Sequence, residues 1–211
     1  MSRGVSAETA LQKLRDGNAR FAAHARGTGT LLTAARRARL TAAQEPFAIV
    51  LGCSDSRVPV EIVFNQGPGD LFVIRVAGNI VAPSLVGSVE FAADRFGTRL
   101  VVVMGHSSCG AIAATIEELH RPTTNQSPNL RAIVDRIRPG VEALVTSKEA
   151  EGALVVEHAA MTANVLASVD QLRHGSAIIG GLVRSDGLLV VGAWYSLETG
   201  KVEFLNETLP R

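Results

Sequence analysis

An unbroken run of β-branched and other apolar residues near the middle of the chain limits the fold more than any other feature. Residues 99–104 read Arg-Leu-Val-Val-Val-Met, with no alternation of polar and apolar side chains. Such a run is typical of a strand that is covered on both faces, as happens when helices cross over between parallel strands. We therefore expect a central parallel strand here and an α/β fold around it.

Other segments extend this sheet in both directions. Apolar runs at 47–51, 71–76 and 188–193 are strand candidates separated by helical patterns, and Thr199-Gly200 turns the last of them back into 202–205. This alternation predicts a mostly parallel central sheet of about four parallel strands plus a C-terminal antiparallel edge strand, flanked by helices. Within one of the helical patterns, 129–145, we expect an interruption near Pro139.

The residues before the first strand form a separate structural unit in this interpretation. The 211 residues suit one domain with a sizeable core, and we treat 1–211 as a single domain. Two helical patterns, 6–23 and 33–43, carry only narrow apolar stripes and are separated by a break at 27–29. We therefore expect residues 1–45 to be an N-terminal helical arm that packs on a partner subunit.

Charge and hydropathy exclude several classes of protein. The chain has 21 basic and 20 acidic residues, and its one basic run, at 36–39, is too short for a nucleic-acid interface. No apolar run is long enough to cross a bilayer. No hydrophobic segment follows the N-terminal residues, so we expect a cytoplasmic protein without a secretory signal.

The only two cysteines of the chain stand beside predicted strand ends. Cys53 follows the strand at 47–51, His106 follows the strand at 99–104, and Cys109 comes three residues later. Carboxyl ends of parallel strands meet at one edge of a sheet, so these side chains converge there. A Cys-His-Cys set is a zinc site with three protein ligands, and its open fourth position is typical of catalysis. We expect Gly52 and Gly105 to let the backbone pass close to the metal.

A disulfide between the two cysteines is the alternative. A reducing compartment disfavours it, since disulfides persist mainly in exported proteins. In the zinc interpretation, two thiolates and one neutral imidazole cancel the charge of Zn²⁺ and make it a weak Lewis acid. Activity should then favour mildly alkaline solution, and a pH–rate profile that stays flat into acidic solution would contradict this.

Asp55 and Arg57 follow Cys53 at alternate positions. In an extended loop, alternate side chains point the same way, so both can face the metal cavity. A bidentate Arg57 would keep the Asp55 carboxylate ionised and aimed. Asp55 could then accept the hydrogen of zinc-bound water or hydroxide, whereas without Arg57 it could swing onto the metal as a fourth ligand. An ordinary surface salt bridge is the competing interpretation.

The two motifs together resemble those of the β-class carbonic anhydrases. The resemblance rests on residues 53–59, Cys-Ser-Asp-Ser-Arg-Val-Pro, and 105–111, Gly-His-Ser-Ser-Cys-Gly-Ala. It continues through the motifs at 69–75, 77–79, 88–92 and 192–195. The chain is therefore similar to this family over nearly its whole length, most specifically over residues 44–115.

The resemblance implies zinc-dependent, reversible hydration of CO₂ to bicarbonate and a proton by zinc-bound hydroxide. It implies Cys53, His106 and Cys109 as metal ligands and Asp55 and Arg57 as the catalytic pair. It also implies a homodimer or a dimer of dimers, with active sites at the dimer interface. The substrate-binding residues that it implies are Gln44, Phe72, Ala77, Phe91 and Gly110.

Two departures and two alternatives accompany the resemblance. Phe91 replaces a tyrosine common in the family, and Ala77 stands where some members carry a larger valine. Gln44 is typical of the plant-like, non-allosteric members, and the tryptophan that helps to form an inhibitory bicarbonate site in another subgroup is missing before Cys53. The alternatives are a COS or CS₂ hydrolase of the same fold and a non-catalytic, zinc-stabilised protein. Intact Asp55 and Arg57 argue against the latter.

Overall fold

The strands predicted from apolar runs form one five-stranded sheet in a computed structural model, which describes residues 4–25, 33–123, 127–148 and 152–205. Its spatial order is β2-β1-β3-β4-β5, and only the β4–β5 pair is antiparallel. This confirms the predicted mostly parallel sheet with an antiparallel edge strand. The strands are β1 (Ala48–Cys53), β2 (Leu71–Val76), β3 (Leu100–His106), β4 (Leu189–Tyr195) and β5 (Val202–Leu205).

Helices flank this sheet, as the alternating pattern predicts. Several begin at side chains that accept a hydrogen bond from the first turn, such as Ser6, Thr33 and Ser176. No helix in the described ranges is long and apolar enough to cross a membrane. The helices are α1 (Ala7–Ala22), α2 (Ala34–Leu40), α3 (Val60–Val63), α4 (Pro83–Arg95), α5 (Gly110–His120), α6 (Pro128–Lys148), α7 (Ala153–Gly175) and α8 (Ala177–Ser185).

Alternating strand residues divide the core between the two faces of the sheet. Ile49, Leu51 and Cys53 point into a cluster shared with α4, α5, α6, α7 and α8. Ala48 and Val50 point into the opposite cluster, which α1 and α3 cover. Both clusters consist largely of residues with almost no exposed surface. The central strands are therefore sandwiched, which explains why their sequences lack polar alternation.

The parallel register sets the position of the functional motifs. Cys53, the last residue of β1, pairs with Val76 at the end of β2. His106, the last residue of β3, pairs with Tyr195 at the end of β4. All four strand ends therefore lie at one edge of the sheet, where the next residues of each strand can converge.

The first helix packs against its own sheet. Its apolar stripe, which includes Leu11 and Leu14, is buried in the cluster on that face. Helix α2, by contrast, has no buried residue and contacts the core region through Arg36, which pairs with Asp70 at 2.8 Å. Within the predicted arm, α1 thus packs on its own chain, whereas the residues of α2 stay outside the core. The predicted break at 27–29 lies outside the described residues.

Asn18 joins this first helix to the last hairpin. Its Nδ2 donates to the Val63 carbonyl at 3.1 Å and to the Gly200 carbonyl at 2.9 Å. Its Oδ1 accepts from the Val202 backbone N–H at 2.8 Å. The side chain is 5% exposed, so water cannot replace these bonds readily. One amide thus connects α1, the end of α3 and the start of β5.

Replacing Asn18 with Ala is expected to destabilise the chain by about 3 kcal/mol, because three backbone groups lose their partner at a buried position. Chemical denaturation followed by circular dichroism measures this. Gln12→Ala is the matched control, since Gln12 lies on the same helix but is exposed and its side chain bonds to the exposed Asp16 one turn later. Equal stability of the two variants would show that the Asn18 bonds contribute little.

The predicted interruption near Pro139 is wrong. Helix α6 runs without a break from Pro128 to Lys148, with Pro139 inside it. Val134, Ile137 and Val141 place one continuous apolar face in the core on both sides of the proline. Gly140 allows close packing on α7, since a Cβ there would lie 3.3 Å from that of Ala167. Burial of this face outweighs the single backbone hydrogen bond that proline removes.

Candidate metal centre

The two cysteines and His106 come together at the carboxyl edge of the sheet. Their ligand atoms all lie within 4.8 Å of one another, and all three residues are buried. Cys53 ends β1, His106 ends β3, and Cys109 is the N-cap of α5. The turn between His106 and Cys109 is tight, with Ser108 in the left-handed region at φ 54°. Strand pairing and this turn therefore bring together the set predicted from the sequence.

The orientation of His106 suits a metal ligand. Its Nδ1 lies 2.9 Å from the Ser107 carbonyl, which fixes Nδ1 as the protonated nitrogen of the neutral ring. The Nε2 atom is buried and has no hydrogen-bond partner among the described residues. A buried acceptor without a partner is costly unless a cation takes its lone pair.

The pKa shifts of the two thiols also favour a bound cation. A hydrogen bond from Cys109 lowers the pKa of Cys53 to about 4, against the opposing effect of burial. The same interaction, together with burial, raises the pKa of Cys109 above its ordinary value. The two shifts are opposite in direction because two buried thiolates in contact would repel. A divalent cation would remove that repulsion and hold both as thiolates.

Asp55 and Arg57 form a bidentate pair beside this cluster. Arg57 donates from Nε to Asp55 Oδ1 at 3.0 Å and from Nη2 to Oδ2 at 2.7 Å. It also donates from Nη2 to the Ser108 carbonyl at 3.0 Å, which ties the pair to the turn before Cys109. Asp55 Oδ2 lies 3.9 Å from His106 Nε2. The carboxylate therefore faces the centre without belonging to the three-residue cluster.

Arg57 also determines the ionisation of Asp55. Its hydrogen bonds hold the pKa of the Asp55 carboxyl well below its ordinary value, despite partial burial. Asp55 is thus an acceptor of hydrogen bonds throughout the neutral range. An exposed salt bridge usually contributes little to stability. Here the bidentate geometry instead fixes the orientation of the Asp55 carboxylate.

Arg75 was not predicted as a site residue, yet it fixes the loop that carries Asp55. Its Nε donates to the Cys53 carbonyl at 2.9 Å and its Nη2 to the Asp55 carbonyl at 2.5 Å. The position of Arg75 in the predicted strand β2 could have identified this role, because pairing of β2 with β1 places Arg75 next to Gly52. Two carbonyls of the 53–55 loop are thereby held by one guanidinium.

The two glycines before the ligands have different environments from those expected. A Cβ at Gly105 would lie 2.6 Å from Met161 Sδ and 2.7 Å from Val165 Cγ2, both on α7. The lack of a side chain at Gly105 therefore allows close packing of α7, rather than close approach of the backbone to the metal. A Cβ at Gly52 would meet only ordinary contacts, the nearest being Val60 Cγ2 at 3.6 Å.

Two of the five predicted substrate-binding residues lie beside the metal centre. Ala77 follows the end of β2, in a short 3₁₀ turn whose next residue, Gly78, contacts Cys53. Gly110 directly follows Cys109 and begins α5, where backbone N–H groups point out of the helix. Both therefore lie next to residues that carry the predicted ligands.

The other three lie elsewhere in the same chain. Phe72 pairs with Ile49, four positions along the strands from the level of Cys53, a separation of about 13 Å at the usual rise per residue. Phe91 packs on Phe72 with ring centroids 6.3 Å apart. Gln44 precedes β1 at the opposite edge of the sheet from Cys53. A single chain therefore does not bring these residues to the metal centre.

Comparisons with known proteins agree with this geometry. The sequence model of the family described as Carbonic anhydrase matches residues 48–202. A carbonic anhydrase from Mycolicibacterium smegmatis is 40% identical over 198 residues, 92% of this chain and 91% of the relative. Carbonic anhydrase 2 from Mycobacterium tuberculosis is 34% identical over 197 residues, 91% of this chain and 89% of the relative.

A solved structure shares the fold. It comes from a study of two tetrameric β-carbonic anhydrases of the filamentous ascomycete Sordaria macrospora and superimposes with a TM-score of 0.72. The match covers 80% of this chain and 85% of the other at 24% sequence identity. The five-stranded sheet and its flanking helices are therefore an architecture that β-carbonic anhydrases adopt.

Proposed function

Since this chain belongs to the β class of the carbonic anhydrase family, we propose that it catalyses the reversible hydration of CO₂ to bicarbonate and a proton, with zinc held by Cys53, His106 and Cys109. The observation that carries this proposal is the convergence of the three buried ligand groups next to the bidentate Asp55–Arg57 pair. A purely structural zinc site would have no use for that pair.

The chain's own residues supply orientation around the metal. Bound zinc would act as a Lewis acid that lowers the pKa of a water molecule, so that the water can lose a proton to solvent and react with CO₂ as a nucleophile. Asp55 accepts a hydrogen bond from the attacking oxygen and so turns an oxygen lone pair toward the carbon atom. Arg57 keeps Asp55 ionised and away from the metal. The Gly110 backbone N–H, at a helix N-terminus, donates to an oxygen of the substrate or product.

Direct measurement tests the proposal. The purified, untreated protein is expected to contain about one zinc per chain by elemental analysis. It is expected to hydrate CO₂ in a stopped-flow pH-indicator assay, and a chelator should abolish that activity until zinc is added back. A metal-free protein with full activity would refute the proposed centre, and a zinc-loaded protein without turnover would leave only a structural role for the metal.

We also propose that a second copy of the chain completes the substrate pocket. Phe91 is 53% exposed, and its ring packs edge-on against Phe96 at 5.6 Å. Gln44 and Phe96 line one cleft of about 800 Å³ at the amino edge of the sheet. Phe72 and Phe91 both pack against Phe96, which lines the same cleft as Gln44. That arrangement suits a homodimer, or a dimer of dimers, in which each pocket faces the partner's metal centre.

Mixed dimers test this arrangement. Asp55→Asn and Gln44→Ala chains, each inactive alone, are expected to regain activity when co-expressed with different tags and purified as the mixed species. One of the two sites in each mixed dimer would then combine an intact metal centre from one chain with an intact pocket from the other. If pocket and metal belonged to the same chain, the mixed species would stay as inactive as its parents. Two differently tagged Asp55→Asn chains serve as the control.

A further inference from the structure

We propose that Asn164 is a positioning residue for the metal centre, acting through Gly78 on the sulfur of Cys53. This rests on the proposed zinc site and adds to it a residue that does not touch metal or substrate. The Gly78 backbone N–H donates to Cys53 Sγ at 3.4 Å in a buried environment. The Gly78 carbonyl, one peptide further on, accepts from Asn164 Nδ2 at 2.8 Å, also buried.

The turn that carries Gly78 needs external support to keep this orientation. Gly78 has φ 71° and Asn79 has φ 44°, both in the left-handed region. No side chain fits at position 78, since a Cβ would lie 2.8 Å from Ile137 Cδ1 and 2.9 Å from Ala111 Cβ. A glycine has many backbone conformations, so its N–H points at Cys53 only if the flanking peptides are fixed. Asn164 fixes one of them from α7.

An N–H directed at a metal-bound sulfur changes the properties of that sulfur. The hydrogen bond withdraws electron density from the thiolate and fixes the position of the sulfur relative to the metal. Outer-shell partners of metal ligands commonly contribute about 10- to 100-fold in affinity. Asn164 is 3% exposed, so no solvent competes for the carbonyl that it holds. The effect of Asn164 on Cys53 is therefore transmitted through one buried turn.

Ser168 supplies a matched control on the same helix. One turn after Asn164, Ser168 Oγ donates to the Asn79 carbonyl at 3.2 Å, and the side chain is likewise 3% exposed. Both residues anchor the same 3₁₀ turn to α7, but only Asn164 binds the peptide that follows the Gly78 N–H. If both residues only stabilised the turn, the two substitutions would have equal effects on the metal centre. In the proposed role, only the Asn164 substitution affects the metal centre.

The test uses Asn164→Leu, which keeps the size of the side chain and removes the donor, beside Ser168→Ala. Both are loaded with Co²⁺ as a spectroscopic substitute for zinc, and both are assayed for zinc release to a chelator. In Asn164→Leu, the sulfur-to-cobalt charge-transfer band is expected to move to longer wavelength. Zinc affinity is expected to fall about tenfold. In Ser168→Ala, band position and zinc affinity should match the unsubstituted protein.

The outcomes separate this inference from the proposed function. If Asn164→Leu leaves both the band and the zinc affinity unchanged, or if Ser168→Ala shifts them equally, Asn164 does not position Cys53. Failure of the unsubstituted chain to bind either metal would instead refute the zinc centre itself. Asn164→Ala, which also lacks the donor, gives the same readouts if Asn164→Leu does not fold.

Discussion

His106→Ala is expected to remove bound zinc and to lower CO₂ hydration by more than about 100-fold, the upper end of the cost of losing even an outer-shell partner. The substitution deletes the one neutral ligand and leaves only two of the three ligand groups at the centre. Elemental analysis and stopped-flow assays measure the two effects. Adding zinc to the variant should not restore activity, although it should restore a chelator-treated unsubstituted protein.

His174→Ala is the control for this experiment. His174 lies on α7 with a side chain that is 73% exposed and paired with Asp170 at 2.8 Å. Its removal should change neither zinc content nor activity. Normal zinc content in His106→Ala would mean that the metal is held elsewhere, and the centre described above would then be wrong.

Asp55→Asn is expected to retain zinc and folding while reducing CO₂ hydration by roughly 10²- to 10⁴-fold. An amide has nearly the same shape as the carboxylate but lacks its charge, and Arg57 could no longer hold it through two charge-assisted bonds. The attacking oxygen would then meet an Asn side chain of uncertain orientation. Stopped-flow assays over a range of pH, with zinc analysis of the same samples, test this expectation.

The pH profile distinguishes this role from a simple titration effect. Because Arg57 lowers the pKa of Asp55, the carboxyl is ionised from acidic solution upward, and its stabilising pair with Arg57 is lost only on strong acidification. The activity of Asp55→Asn should therefore be reduced by a similar factor across the neutral and alkaline range. Asp170→Asn, which alters an exposed carboxylate, serves as the control. Full activity of Asp55→Asn would contradict the assigned role.

Much of the fold was predictable because local and long-range signals agree in this sequence. The strand at Leu100–His106 is buried on both faces, and its uninterrupted apolar run predicts this burial. The placement of Cys53 and His106 at one edge follows from the parallel pairing of β1 with β3, since the carboxyl ends of neighbouring parallel strands lie together. The N-caps Ser6 and Ser176 each bond to a backbone N–H three residues later, so this part of the structure depends on only a few adjacent residues.

What the sequence did not reveal depends on contacts between distant segments. Pro139 ordinarily breaks a helix, and only the packing of α6 on α7 explains its tolerance. Asn164 is an ordinary polar residue in a long helix until the turn at Gly78 is placed against it. Gln44 and Phe72 were predicted for a pocket that one chain does not assemble. In each case the role of the residue depends on what it contacts in the folded protein, which its local sequence does not identify.

The three bonds of Asn18 have a consequence for how the chain acquires its structure. Two of them join residues 182 and 184 positions apart, between an early helix and the final hairpin. During synthesis, these two bonds cannot form until residues 200–202 have left the ribosome. Until that hairpin is complete, fewer bonds hold the first helix, and its stripe of leucine and alanine is more open to chaperones and to other nascent chains.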